Sequence, residues 1–246
     1  MKNKELWQPT KYVYRQNKLI ASRSSSQVTI SSRLMADLVA FHYDSNLKKY
    51  ARGRLIDLGC GKAPLYGAYK DLVTDTVCVD WSDASGKNIH LDYECDLNKP
   101  LPFDNSAFDT VILSDVLEHI QNPFLLWEEI SRIMIEQGKI IMNVPFFYHI
   151  HEAPYDYFRY TEFALRNFAE LSGFKIILIQ PIGGAPEIVA DIFAKNVLRV
   201  PLLGAFFSTA VQKTCALFLK TSLGKKISKK TSKKFPYGYF MVAEKK

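Results

Sequence analysis

The run Asn143-Val-Pro-Phe-Phe-Tyr148-His149-Ile-His151-Glu152-Ala-Pro154-Tyr155-Asp156-Tyr157-Phe-Arg159-Tyr160-Thr161 sets titratable groups beside an aromatic wall, as a substrate pocket does. An imidazole titrates near neutral pH, so His151 suits removal of a hydroxyl proton. Asp156 can orient that ring or bind a sugar hydroxyl, and Arg159 can hold a phosphate or the loop itself. The same residues also have a purely architectural use. Asp156 and Arg159 can be a buried pair that fixes the loop, Thr161 can cap the next helix, and His149, Tyr148, Tyr155 and Tyr157 can pack. His149, His151 and Glu152 have only tight local spacing and no further partner, so no metal is expected.

A second group lies upstream, Leu55-Ile-Asp57-Leu-Gly59-Cys60-Gly61. At a strand-to-helix turn, glycines adopt positive φ and let the backbone approach a ligand closely. Asp57 can accept hydrogen bonds from that turn or anchor an ammonium group. Cys60 reads as packing. Pro64 stands where a dinucleotide turn would carry Gly or Ala, which disfavours NAD.

These residues need a scaffold, and the pattern supplies one. Residues 1–30 are polar and read as an irregular arm or lid, and Leu34, Leu38, Phe41 and Tyr50 predict a helix over 31–50. Strand-like and helix-like segments then alternate, the sign of a parallel sheet with crossover helices. Strands are expected at 54–58, 76–79, 88–91, 108–113, 139–144, 174–179 and 236–243. Helices are expected at 64–72, from Asn122-Pro123 to Gly138, and at 161–171. Between the last two strands lie about fifty residues where a turn would normally suffice. There, 186–200 has amphipathic spacing, and 200–212 carries no formal charge but is too short to span a bilayer, which takes about 20 residues.

The chain has 246 residues, 48% hydrophobic and 23% charged, with a net charge of +7. That size allows one large domain or two small ones, with a core that needs no staples. Lys220, Lys225, Lys226, Lys229, Lys230, Lys233 and Lys234 account for the whole excess. A neutral body with one cationic patch argues against an extended nucleic-acid footprint and favours a local anionic partner. Peripheral contact with an anionic membrane through residues 186–234 is therefore expected. Four scattered cysteines and a polar N-terminus without a secretory pattern point to a cytoplasmic setting, at most peripheral to the inner face of the membrane.

Over about 54–179 the chain resembles class I S-adenosylmethionine (SAM)-dependent methyltransferases of type 11. The resemblance rests on the glycine turn, on Val79-Asp80-Trp81, on Cys95-Asp96-Leu97, and on Leu101–Asp109 with Ser114-Asp115-Val116-Leu117-Glu118-His119. It implies that Asp57, Gly59 and Gly61 hold the methionine part of SAM, that Asp80 binds the ribose hydroxyls and that Asp96 recognises the adenine. Trp81, Leu97 and Ser114 go with them in the cofactor site. Glu118 and His119 are expected to orient the fourth-strand loop. A subset of the family, many of its members associated with surface-polysaccharide or lipid-linked glycan pathways, carries a run similar to His151, Pro154, Asp156, Arg159, Tyr160 and Thr161.

The implied fold is α/β and Rossmann-like. It has a seven-stranded, mostly parallel sheet with an antiparallel last strand, flanked by helices, and a helical insertion before that strand. The segments are an arm and helix (1–50), a SAM-binding core (51–182), the insertion (183–235) and the final strand (236–246). The implied activity is methyl transfer from SAM to a hydroxyl of a small-molecule, glycan or lipid-linked acceptor, with His151, Asp156 and Arg159 as catalytic candidates. A quinone or lipid methyltransferase and a noncatalytic, membrane-associated SAM-fold module are the alternatives. A base-directed methyltransferase would carry an Asn/Asp-Pro-Pro-aromatic loop after strand four, where this chain has Ser114-Asp115-Val116-Leu117.

Overall fold

The computed structural model describes residues 1–81 and 88–246. The chain begins with a hairpin, β1 (Tyr12–Arg15) and β2 (Lys18–Ala21), then α1 (Arg33–Tyr50), β3 (Arg54–Leu58), a one-turn α2 (Tyr66–Tyr69), β4 (Asp75–Asp80) and β5 (Tyr93–Glu94). It continues with β6 (Phe108–Ser114), α3 (Pro123–Ile133), β7 (Met134–Pro145), α4 (Glu162–Leu171) and β8 (Phe174–Ile182). Three insertion helices, α5 (Ala185–Val197), α6 (Gly204–Phe218) and α7 (Ser222–Thr231), precede β9 (Gly238–Lys245). Among the described residues the main sheet runs β5-β4-β3-β6-β7-β9-β8, with β9 antiparallel to both neighbours and the other pairs parallel.

Strand alternation divides the core into two layers. Ile56, Leu58, Met142, Val144 and Met241 face the layer of Trp127, Ile130, Leu165 and Phe168 from α3 and α4. Leu55, Ile141, Phe240 and Val242 face α1 and the N-terminal hairpin, meeting Tyr12, Val39, Tyr43 and Tyr69. The N-terminal residues therefore depart from the irregular arm expected of them. Gln16 and Asn17 adopt positive φ, which closes a two-residue hairpin, and Tyr12, Leu19 and Ala21 are buried in the core.

Three further elements differ from the sequence reading. The 122–138 helix stops at Ile133, because Ser106 and Ala107 donate to the carbonyls of Arg132 and Ile133 and Met134 pairs with Phe108 as strand. The third strand forms at Tyr93–Glu94 rather than at 88–91. Leu91 N–H closes a turn on the Asn88 carbonyl, and pairing with β4 starts only when Asp92 N–H reaches the Cys78 carbonyl. The helix expected over 64–72 contracts to the single turn of α2.

The insertion is tied to the body by buried polar contacts. Gln212 Oε1 accepts Leu34 N–H at 2.9 Å, and its amide also donates to the Ile30 carbonyl. Glu187 accepts the Gly184 N–H at 3.0 Å and the Ser228 hydroxyl at 2.5 Å, which joins α5 to α7.

One pH response follows from the α1–β9 contact. His42 stacks on Phe240 with centroids 5.3 Å apart, and burial lowers its pKa to about 4. The folded protein binds this proton less readily than the unfolded chain. The stabilisation is therefore complete above pH 6.5 and lost as pH falls toward 4, by on the order of 3 kcal/mol. Urea melts at pH 7 and pH 4.5 should show a smaller loss in His42→Phe than in the native sequence.

Candidate active site

The strand order places the carboxyl ends of β5, β4, β3 and β6 side by side, so the residues that follow them share one crevice. Gly59 has φ +71°, and a Cβ there would stand 2.4 Å from Val116 Cγ2. Gly61 has φ +49° with nothing within 4 Å of an added Cβ, so the turn has open space above it. Asp80 ends β4 and braces the turn: Oδ2 accepts Gly61 N–H at 2.6 Å and Oδ1 accepts Trp81 N–H at 2.8 Å. Asp96 lies beyond β5 with its side chain 43% exposed, and the Asn98 backbone and side-chain donors hold its carboxyl below the usual range. Leu97 beside it is core. Trp81 is half exposed and meets Tyr155 edge-on at 4.9 Å, so the cofactor end touches the loop after β7.

Asp57 sits deeper than the other acids. It is buried, takes the Tyr69 hydroxyl at 2.9 Å, and is pushed up to about 7 by that burial. It braces β3 against α2. Ser114 Oγ donates to Asn143 Oδ1 at 2.9 Å, the same atom that accepts the Tyr43 hydroxyl at 2.8 Å. The Asn143 amide then donates to Asp115, which also pairs with Lys11 at 2.9 Å. Lys11 is a site residue that sequence reasoning missed, because no local spacing connects the N-terminal hairpin with the end of β6.

The loop after β7 is organised around Asp156, whose side chain is 1% exposed. Arg159 grips both of its oxygens and sends further donors to the Phe158 and His149 carbonyls. Its guanidinium is thus committed to the loop, not to a phosphate, and the pairing holds the Asp156 carboxyl far below its ordinary range. Asp156 Oδ2 also accepts His151 N–H at 2.9 Å and lies 3.2 Å from His151 Nδ1. Thr161 caps α4 through Ala164 N–H at 3.2 Å.

Two cavities meet at Tyr148. One of about 240 Å³ is lined by Lys11, Tyr12, Asp115, Glu118, His151 and Tyr237. The other, about 640 Å³, lies between the β7 loop and α5, lined by Phe147, His149, Asp191, Ile192, Lys195 and Arg199. The insertion therefore supplies a pocket wall, which its sequence did not announce. There Lys195 pairs with Asp191 and lies 4.2 Å from the centre of the Tyr148 ring.

Residues 56–142 match the family of methyltransferase domains. Over that stretch the chain is similar to a methyltransferase domain. An uncharacterized protein of Methanocaldococcus jannaschii is 31% identical over 150 residues, and the alignment spans 58% of this chain and 65% of that relative's length. A SAM-dependent methyltransferase from Archaeoglobus fulgidus has the same fold, with a TM-score of 0.54 and 17% identity over 87% of this chain and 94% of that one. The cyclase SpnF is equally similar, with a TM-score of 0.55 and 14% identity over 96% and 87% of the two chains. Fold likeness at this distance fixes architecture, and the chemistry has to be read from side chains.

The cofactor of such domains is SAM, and the crevice fits it. The glycine turn leaves open space above Gly61, Asp80 sits at the end of β4 against that turn, and Asp96 offers an exposed carboxylate to an amino group.

Proposed function

We propose that this protein is a SAM-dependent methyltransferase acting on a hydroxyl of a lipid-linked or glycan acceptor at an anionic membrane surface. The observation that carries the reading is the junction of the two cavities at Tyr148, with His151 on one side and α5 on the other. Asp80, Asp96 and the Gly59–Gly61 turn hold the cofactor, which when bound supplies an electrophilic methyl group on a sulfonium. The remaining work of the chain is to fix the acceptor oxygen and remove its proton. Asp156, clamped by Arg159, fixes the β7 loop and the His151 ring, and His151 Nε2 faces the cavity side of Glu118 at 3.8 Å, placed to take that proton. Lys11 and Asp115 line the floor and can hydrogen-bond acceptor hydroxyls.

The outer faces of the insertion support a membrane-borne acceptor. Val189 and Phe193, at i, i+4 on α5, and Leu202, Leu203 and Phe206, just before and at the start of α6, are exposed. Exposed apolar side chains of this size suit an interaction surface. The lysines of α7 and its flanks supply the complementary charge for an anionic lipid. No helix among the described residues is long and apolar enough to cross a membrane, so the contact is interfacial.

The test is labelled SAM offered to the protein with lipid-linked sugars, quinones and RNA. Label is expected in the lipid-linked sugar, and His151→Ala should lower transfer at least 100-fold while leaving SAM affinity within about threefold. Label in the quinone alone would move the acceptor to an aromatic hydroxyl. SAM binding without transfer to any acceptor would make the protein a binding module.

A further inference from the structure

We infer that Glu118, His119 and His151 form a binding site for a divalent first-row transition ion, with zinc the ion that best suits their donors. Glu118 is the starting point. It is fully buried, and neither carboxylate oxygen has a hydrogen-bond partner. A buried carboxylate in that state is strongly disfavoured unless a cation or a proton compensates it. The charges of Asp115 and Asp156 add to the negative potential there, and Arg159 offsets part of it without hydrogen-bonding either Glu118 oxygen.

Two imidazoles face this carboxylate. Nε2 of His119 and Nε2 of His151 each lie 3.8 Å from Glu118 Oε1, and the three ligand atoms fall within 4.8 Å of one another. Bonds of about 2.0–2.2 Å to nitrogen and oxygen would draw them onto one ion with side-chain shifts of about an ångström or less.

The rings are oriented from behind. His119 Nδ1 is 2.9 Å from the Tyr155 carbonyl, which can only accept, so Nδ1 carries the proton and Nε2 presents a lone pair. His151 Nδ1 lies 3.2 Å from Asp156 Oδ2, off the line of a good hydrogen bond but held there by the Arg159 clamp. An imidazole backed by a carbonyl or carboxylate, with its far nitrogen aimed at a carboxylate, is the outer-shell arrangement of metal-ligating histidines.

Two nitrogens and one carboxylate oxygen favour zinc and its neighbours over magnesium or calcium, which take oxygen ligands. Exposed Glu152, 3.8 Å from His119 Nε2, stands at the open side. Glu118, His151 and Glu152 also line the smaller cavity, so an ion here would leave a coordination position toward the acceptor. An ion here would occupy His151 Nε2 and so replace its role as base: it would lower the pKa of a bound acceptor hydroxyl, whose proton would then pass to solvent. That role rests on the methyl-transfer reading, whereas the binding itself does not.

The experiment is calorimetric titration of chelator-stripped, full-length protein with zinc chloride, then with manganese and magnesium chlorides. One zinc per chain is expected, with affinity at least 100-fold weaker in Glu118→Gln and in His119→Ala. The native protein should gain thermal stability with zinc and the variants should not. Cobalt(II) in the same site should give visible d–d bands that zinc abolishes. No stoichiometric zinc binding by the native protein, or equal binding by both variants, overturns the site. SAM titrations of the same samples report whether the variants are folded. They also separate the two ideas: zinc binding without SAM binding keeps the metal site and removes the methyltransferase reading, and SAM binding without zinc does the reverse.

Discussion

Asp80→Ala is expected to weaken SAM binding by 100-fold or more in calorimetry, whereas Asp96→Ala should cost about tenfold. The difference comes from what each carboxylate holds in place. Asp80 accepts the N–H of Gly61 at 2.6 Å and of Trp81 at 2.8 Å, so its loss frees the glycine turn as well as removing the acceptor for the ribose diol. Hydrogen bonds to a charged group contribute roughly 1.5–3 kcal/mol each, and two of them exceed a factor of 100. Asp96 is half exposed and braces only Asn98 and Lys99, so solvent replaces much of what it gives. Equal effects of the two substitutions would mean that Asp80 does not organise the turn.

Arg159→Leu is expected to reduce methyl transfer at least 100-fold while SAM affinity changes by less than about threefold. The guanidinium covers a carboxylate that is 1% exposed, and its removal leaves a buried charge unpaired, at a cost of about 3–5 kcal/mol. The loop then releases His151, which depends on Asp156 for both its backbone N–H and its ring position. The double variant Asp156→Leu with Arg159→Leu removes both charges, so thermal melts should find it more stable than Arg159→Leu alone, yet still inactive. An active double variant would reduce the pair to a brace with no part in positioning His151. The Arg159 clamp acts at a distance from the chemistry, as a positioning contact through Asp156.

The insertion shows how the two ends of the site come to depend on one another. α5 is held by Glu187 and Ser228 on one side and packs over Leu34 on the other, which sets Asp191 and Lys195 against Tyr148. Val189 and Phe193 on the same helix are exposed and do not line that pocket. A segment that reads in sequence as a membrane contact thus also lines a pocket beside the β7 loop.

The sequence by itself determined the sheet, the glycine turn and the row of acids. The first two follow from local pattern, since Arg54–Leu58 is apolar and β-forming and Gly59 needs positive φ, whereas Asp80 at the end of β4 and Asp96 beyond β5 were singled out by the family resemblance. The caps at Asn122 and Thr161 were legible for the same reason, since a cap is made within three residues. Where local pattern failed, a distant partner had intervened. Met134 continues a helical stripe, yet Phe108 draws it into a strand, and the polar N-terminal residues gain order only by covering the sheet.

The grouping of side chains around the β7 loop came from tertiary packing. Within the loop alone, His149, His151 and Glu152 lacked a further metal partner. Folding supplies a different group, bringing Glu118 and His119 from the end of β6 against His151 and turning His149 away toward α5. Lys11 reaches Asp115 across 104 residues in the same way. Spacing along a chain encodes contacts within a turn or a strand pair, but a buried carboxylate finds its partners through the packing of separate elements, and no local pattern carries that distance.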